Sequence, residues 1–267
     1  MKGIFELYIQ QFKTTMATMF AYRASLLIWM LGQVLEPLVY LIVWSIVSGA
    51  NGGSVGDYTT RQFAGYFILL MLVNQVTYTW VMYEFEYRIR EGSFSFALLR
   101  PVHPIHSSIA DNISSKLITT PFMALVAVVL SFIFHPSISP TWWGVALFFP
   151  ALLLAFAVRF LLEWTLAQSA FWTTRVGAVN QMYFVVMLFL SGQFAPLALF
   201  PLPVRVLAYA LPFRWLVSFP IDLVSGRLAL HDAFIGLGAQ AAWLAAGYLI
   251  FRLVWRAGVK VYGAVGA

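Results

Sequence analysis

His106 and Asp111 are the first residues of this chain whose types and spacing suggest chemistry. They bracket the run His106-Ser107-Ser108-Ile109-Ala110-Asp111, and a histidine oriented by a carboxylate can serve as a general base. Two residues at a fixed spacing recur by chance, and no phosphate-binding partner motif follows them. His103 and His106 are spaced like a metal pair, yet no third ligand stands nearby. Both histidines are read more simply as polar residues on a wet loop. Arg159 and Glu163 stand four residues apart, and on one helix face such a pair neutralises itself. Glu36 is the remaining carboxylate at an unusual place, next to Pro37 in the middle of an apolar run.

Other routes to chemistry are closed by what the chain lacks. The phosphate-cradling G-x-x-x-x-G-K-[ST] loop is absent, because none of Lys2, Lys13, Lys116 and Lys260 follows a glycine. If ATP drives this protein, another polypeptide must bind the nucleotide. The lack of cysteine excludes disulfides, thiolate metal sites and a thiol nucleophile. No catalytic, cofactor-binding or metal-binding residue is therefore assigned. The net charge of +6 is scattered between apolar runs, which argues against nucleic acid as a partner.

The elements that must position these residues follow from composition. Of the 267 residues, 61% are hydrophobic and only 10% are charged, against roughly 25% charged in soluble domains. The chain reads as an all-α integral membrane protein, a single domain over 1–267 with the lipid bilayer around it. Helices of about 20 residues joined by short loops leave room for roughly six spans. Phe5, Tyr8, Ile9, Phe12, Met16, Met19 and Phe20 form an apolar stripe opposite Lys2, Glu6, Gln10 and Lys13. That pattern predicts an interfacial amphipathic helix over 2–22, or more plainly an extension of the first span. Glu6, Gln10, Gln11 and Lys13 interrupt any signal-peptide core, so the segment is expected to stay on the mature protein.

Spans are predicted at about 24–47, 62–83, 117–134 and 141–174, with a fifth ending near Gly192 and a sixth at about 233–251. A carboxylate at mid-membrane costs at least about 2.5 kcal/mol, so Glu36 is expected to face protein or a water-filled cavity. Pro37 is expected to kink the helix beside it. Over 193–226, Pro196, Pro201, Pro203, Pro212 and Pro220 leave apolar pieces of roughly ten residues, too short to cross about 30 Å of hydrocarbon. Short helices that enter the membrane and turn back, or lie at its surface, are predicted there.

The stretch over 84–116 carries Glu84, Glu86, Arg88, Arg90, Glu91, Arg100, Asp111 and Lys116, and must face water as a polar loop. Six spans place both termini on its side, together with a turn at Arg175. That side holds Lys2, Lys13, Arg23, Arg88, Arg90, Arg100, Lys116, Arg175, Arg252, Arg256 and Lys260, against Arg61, Arg205, Arg214 and Arg227 on the other. The positive-inside rule then makes the charged stretch and both termini cytoplasmic, and 193–226 extracytoplasmic.

Two motifs resemble one family. Arg90-x-Gly92-x-Phe94-x-x-x-Leu98-Leu99-Arg100-Pro101 is similar to the R-x-G-x-[LF]-[DE]-x-x-L-L-x-P segment between spans two and three of type-2 ABC exporter permeases. Ser191-Gly192-x-x-x-Pro196-Leu197 through Phe200-Pro201, then Leu211-Pro212-Phe213 and Pro220 to Gly226, resemble the re-entrant helices before their last span. The likeness covers nearly the whole chain. It implies a cytoplasmic coupling helix made by Arg90, Glu91, Gly92, Phe94, Phe96, Leu98, Leu99, Arg100 and Pro101, seated in a groove of an ABC ATPase. The first helix would touch the same ATPase. The working unit would be two permeases, identical or paralogous, and two ATPase subunits in a bacterial inner membrane. ATP and Mg would bind the ATPase, and no cofactor this chain. Where relatives carry an acidic residue, Ser95 stands here, and Glu91 is the nearest substitute carboxylate.

Glu36, Asn74, Gln75, Asn180 and Gln181 are candidates to line a translocation path, or else to hydrogen-bond between helices. Pro196, Pro201, Pro212 and Pro220 would mark an outer gate. The expected function is export of an apolar or amphiphilic substrate, because no charged cluster lies within the spans, with no ATPase site on this chain. Two other classes stand beside it. An ion-coupled secondary transporter or channel would use Glu36 or the Arg159/Glu163 pair and need no partner. A membrane-embedded acyltransferase would use the His106/Asp111 spacing, which matches that of glycerolipid acyltransferases.

Overall fold

A computed structural model describes residues 2–173 and 176–263, so the predicted turn at Arg175 lies outside the described residues. The chain is nearly all helix. Helix α1 (Lys2–Ala21) leads through Tyr22 into α2 (Arg23–Ala50), and a two-residue-per-strand hairpin, β1 (Ser54–Val55) with β2 (Tyr58–Thr59), turns the chain into α3 (Thr60–Thr77). Then come α4 (Val81–Arg90), α5 (Phe94–Leu98), α6 (Ile105–Phe134) and α7 (Trp142–Ala167), which runs on as a 3-10 turn over Gln168–Phe171. Helix α8 (Gly177–Leu190) precedes three short helices, α9 (Leu202–Ala210), α10 (Phe213–Leu216) and α11 (Ser218–Val224), and α12 (Leu230–Val261) ends the fold.

Among the described residues, five helical stretches are long and apolar enough to cross a membrane: Arg23–Ala50, Thr60–Arg90, Ile105–Phe134, Trp142–Phe171 and Leu230–Val261. The sixth segment expected from the sequence, the one ending near Gly192, forms the 14-residue α8. At 1.5 Å per residue it rises about 21 Å, short of a hydrocarbon core of about 30 Å. Its end is built by Gly192, at φ +89°, where a side chain would meet the Tyr66 hydroxyl at 2.5 Å. That hydroxyl donates to the Gly192 carbonyl at 2.8 Å and fixes the bend.

Most of the stretch expected as a charged loop over 84–116 is helical. Helix α4 continues to Arg90 and α6 begins at Ile105. Local side-chain bonds explain the early start: Asn112 Nδ2 donates to the Ser108 carbonyl at 2.9 Å, Ser114 Oγ to Ala110 at 2.6 Å and Ser115 Oγ to Asn112 at 3.0 Å. Helix α1 packs along this first half of α6, where Asp111 Oδ1 accepts from Thr15 Oγ1 at 2.7 Å and from Gln11 Nε2 at 3.3 Å. The apolar Phe5 and Phe20 of α1 stay exposed.

Helix α3 is the enclosed centre. Thr59 and Gln62 cap it reciprocally, the arrangement that satisfies the first free N–H groups of a helix. Phe63, Phe67, Leu70 and Val73 are almost fully buried. Helix α12 packs on the other side against α7 and the segments around it through Gly236, Gly247 and Gly258, spaced so that all three share one face. A Cβ on Gly236 would overlap the Phe219 ring, and one on Gly258 the Phe171 ring, whereas Gly238 has open space. Small residues let membrane helices approach closely.

Gly236→Ala is therefore expected to lower stability by about 1–3 kcal/mol through overpacking. Gly238→Ala, which only gains helix propensity, should be neutral or slightly stabilising. Thermal melts of the two detergent-solubilised variants decide it; equal melting temperatures would contradict the close approach.

Candidate functional site

The second long stretch is not one helix. Helix α3 stops at Thr77 and α4 starts at Val81, with Tyr78 in an extended conformation (φ −62°, ψ 141°). Neither proline nor glycine stands at Tyr78-Thr79-Trp80, which is why a continuous span was expected there. Non-helical backbone at membrane depth survives only where protein or a cavity satisfies it. Here a charged side chain meets one freed carbonyl, and a second holds the neighbouring side chain. Lys116 Nζ donates to the Tyr78 carbonyl at 2.7 Å, and the Thr79 hydroxyl donates to Glu163 Oε2.

Glu163 and Arg159 form the centre of this arrangement. Arg159 Nε meets Glu163 Oε1 at 2.8 Å, with both side chains at most 2% exposed. Arg159 Nη1 donates to Thr77 Oγ1 at 3.1 Å and to Asn74 Oδ1 at 3.2 Å, and the Tyr183 hydroxyl donates to Glu163 Oε1 at 3.1 Å. The guanidinium lies 5.2 Å from the Tyr78 ring centroid, within cation–π range. Gln193 Nε2 adds a bond to Asn74 at 3.4 Å. One ion pair thus ties α3, the start of α4, α7, α8 and the bend after α8 together.

A cavity of about 540 Å³ opens beside the break. Helix α2 contributes Trp29, Gly32, Gln33 and Glu36; the break and α4 contribute Tyr78, Trp80 and Tyr83; α8 contributes Phe184, Val185 and Leu188; Asn74, Arg159 and Gln193 complete the wall. Glu36 and Asn74, both expected from the sequence, come together here. Gln75 turns toward α6 and donates to Thr119 Oγ1 at 2.6 Å. Asn180 is fully buried with neither amide atom partnered among the described residues, while Gln181 faces outward. Sequence reasoning missed the aromatic wall and Lys116; a lysine at the edge of an apolar run is a signal that backbone carbonyls nearby need a donor.

The segment over 90–101 stands at the other end of α4. Gly92 adopts φ +67°, a conformation that glycine takes without strain, and turns the chain into α5. Phe94 is buried among Phe85, Phe171, Tyr262 and Trp255, at ring-centroid distances of 4.7, 5.8, 5.8 and 6.2 Å. Ser95 Oγ lies 3.0 Å from the Tyr262 hydroxyl, so the position that is acidic in the resembling family is engaged inside this chain. Leu98 packs against the core, and Gly92 is half-buried. Phe96 and Leu99 point outward, 70% and 82% exposed, flanked by exposed Arg90, Glu91, Arg100 and Pro101.

The histidine chemistry does not assemble. Asp111 is engaged by Gln11 and Thr15, and His106 rests edge-on to Tyr8 at 6.5 Å. His103 packs 4.4 Å from the Trp255 ring, and its Nδ1 accepts from the Ile105 N–H at 3.2 Å. Burial, reinforced by His106, pushes the His103 imidazole below its ordinary value.

The proline-divided region holds a second ion pair. Pro201 and Pro212 stand at the N-termini of α9 and α10, Pro220 lies within α11, and Pro196 precedes a 3-10 turn over Leu197–Leu199. Arg214 Nη2 lies 3.6 Å from Asp222 Oδ2, and the Arg214 guanidinium sits 3.5 Å from the Tyr209 ring centroid. Burial pushes the Asp222 carboxyl up to about 6, with Arg214 and Arg227 opposing.

A family model described as ABC-2 family transporter protein matches residues 34–266. The chain belongs to the ABC-2 transporter family. A search of curated proteins returned no match. Family and apolar helices together make the protein a multi-pass transmembrane subunit of an ABC transporter, a class that works with an ABC ATPase.

Two outcomes follow from the ion pairs. Arg159→Met leaves Glu163 buried and unpaired, which is expected to cost about 3–5 kcal/mol, and adding Glu163→Gln should recover part of that loss. Thermal melts of the single and double variants measure the recovery. For Asp222, the folded group holds its proton between pH of about 4 and 6 while the unfolded one has lost it. Raising pH through that window therefore lowers stability. Asp222→Asn should gain on the parent protein from pH 4 to 7 by at most about 3 kcal/mol, less where the 17% of the side chain open to water screens the charge. A pH-independent difference in melting would contradict the buried carboxyl.

Proposed function

We propose that this chain is the transmembrane subunit of an exporter that moves an apolar or amphiphilic substrate out of the cytoplasm, using ATP hydrolysed with Mg on a separate ATPase. The observation that carries the reading is the pairing of two exposed apolar residues, Phe96 and Leu99, with a root that cannot swivel, the buried Phe94. The segment over 90–101 then acts as the coupling helix. Helix α4 joins it directly to the break at Tyr78-Thr79-Trp80 and so to the cavity wall.

In this reading α8, lengthened by the bend at Gly192, serves as the fifth of six spans, and both termini are cytoplasmic in a bacterial inner membrane. Two such permeases, identical or paralogous, work with two ATPase subunits. Closure of the ATPases pushes the coupling helix, α4 tilts about its break, and the cavity changes its access from one side to the other. The short helices over 193–226 enter the outer leaflet and turn back, and Pro196, Pro201, Pro212 and Pro220 stiffen the outer gate. Arg159 and Glu163 serve the break rather than an ion gradient, since each is fully engaged by its neighbours.

Leu99→Asp places a charge on the exposed docking surface without touching the core. It is expected to abolish co-purification with the ATPase while membrane insertion and melting temperature stay unchanged. Undiminished capture of the ATPase would remove the coupling role. Transport by the purified chain alone, driven by an ion gradient and indifferent to ATP, would remove the exporter reading altogether.

A further inference from the structure

The cavity beside the helix break carries one charge with no partner. Among the described residues Glu36 makes no hydrogen bond and no ion pair, although it stands near the middle of a 28-residue apolar helix. The other formal charge on the wall, Arg159, is cancelled by Glu163 at 2.8 Å, and its Nη1 is occupied by Asn74 and Thr77. The net charge presented to an occupant is therefore negative, and it comes from Glu36.

The remainder of the wall is aromatic. Trp29, Trp80, Tyr83 and Phe184 face the same space, Tyr83 stacks on Phe184 at 6.1 Å, and Trp80 and Tyr83 keep 47% and 40% of their surface open. Aromatic faces attract cations, more strongly once water is excluded. A carboxylate within a span is costly unless water or a cation meets it. An anionic occupant would be repelled by Glu36 and would find the Arg159 charge already neutralised. The volume of about 540 Å³ is within the roughly 300–1,000 Å³ of small-molecule pockets.

We propose that this cavity binds an organic cation with a bulky apolar body. Glu36 supplies the counter-charge, and Trp29, Trp80, Tyr83 and Phe184 supply the faces. The inference narrows the amphiphilic cargo named above and rests on that reading for its role in transport, while the site itself is made wholly by this chain.

The full chain in lipid nanodiscs, without an ATPase, is titrated with tetraphenylphosphonium and with tetraphenylborate, an anion of nearly the same shape. Tryptophan fluorescence quenching and retention of radiolabelled cation at equilibrium are read, with empty discs as the partition control. The cation is expected to bind saturably and the anion only to partition. Glu36→Gln should weaken cation binding by about tenfold or more, and Glu36→Asp should keep most of it. Equal affinity in Glu36→Gln, or saturable binding of tetraphenylborate at the same strength, overturns the proposal. Should Glu36→Gln melt early, Trp80→Ala carries the test: a several-fold loss supports the site, and unchanged affinity overturns it. Capture of an ATPase by a chain that binds no cation would sink this inference and leave the exporter reading. Saturable cation binding by a chain that captures no ATPase would do the reverse.

Discussion

The peptide groups freed at Tyr78-Thr79-Trp80 impose the constraint on which the rest of the structure depends. A helix interrupted inside hydrocarbon leaves polar backbone groups that cost several kcal/mol each if nothing meets them. This chain meets one of them with an ionised side chain, Lys116 on the Tyr78 carbonyl, while the Arg159–Glu163 pair holds the side chains of Thr77, Thr79 and Asn74 around the break. Each charge alone would be expensive in the membrane. Arg159 and Glu163 are mutually necessary, because removing either leaves the other buried without its counter-charge.

That arrangement decides which parts can move and which cannot. Above the break, α3 is packed on nearly every side and its Thr59 cap is closed. Below it, α4 is short and ends in the aromatic cluster where Phe85 and Phe94 meet Phe171, Trp255 and Tyr262. Helix α4, α5, the end of α7 and the end of α12 therefore share one cluster, which gives α4 a firm footing below the break. Trp255, and Tyr262 just past its end, bring the last helix into that cluster, so under the coupling role proposed above a push on the exposed Phe96 and Leu99 would reach α12 as well as α4.

Much of this was legible in the sequence, and what was not has a physical reason. Long apolar runs located five of the six expected spans, and the Gly92-to-Pro101 spacing marked the short helix between α4 and α6. The extra turns of α6 before Leu117 were not visible, because Ser108, Asn112 and Ser114 look like loop residues until their side chains bond back to the helix. The break after Thr77 left no proline or glycine as a sign. It depends on Lys116 and Glu163, 38 and 84 residues away from their partners, and tertiary bonds of that kind have no local pattern. Glu36 was recognisable as a carboxylate needing a cavity, but its aromatic surroundings come from α4 and α8 and required the fold. His106 and Asp111 show the opposite case: a spacing suggestive of chemistry, undone when Gln11 and Thr15 claim the aspartate.

The position of the cavity also bears on how ATP energy could be converted to transport. A conformational change expels cargo only if the two states bind it with different strength. The carboxylate of Glu36 belongs to α2, whereas Tyr83 belongs to α4 and Trp80 to the last residue of the break that leads into it, on the way to the proposed coupling residues. Bending at Tyr78-Thr79-Trp80, as proposed above, would therefore part the counter-charge from two of the aromatic faces without disturbing either helix internally. A bound cation would lose part of its cation–π contacts, keeping those of Trp29 and Phe184 beside Glu36, and hydration through the opening cavity would weaken the remaining attraction. The energetic logic of the proposed cycle would thus be one of division: the charge would stay with α2, and the part of the site joined to the proposed coupling segment would be the part that lets go.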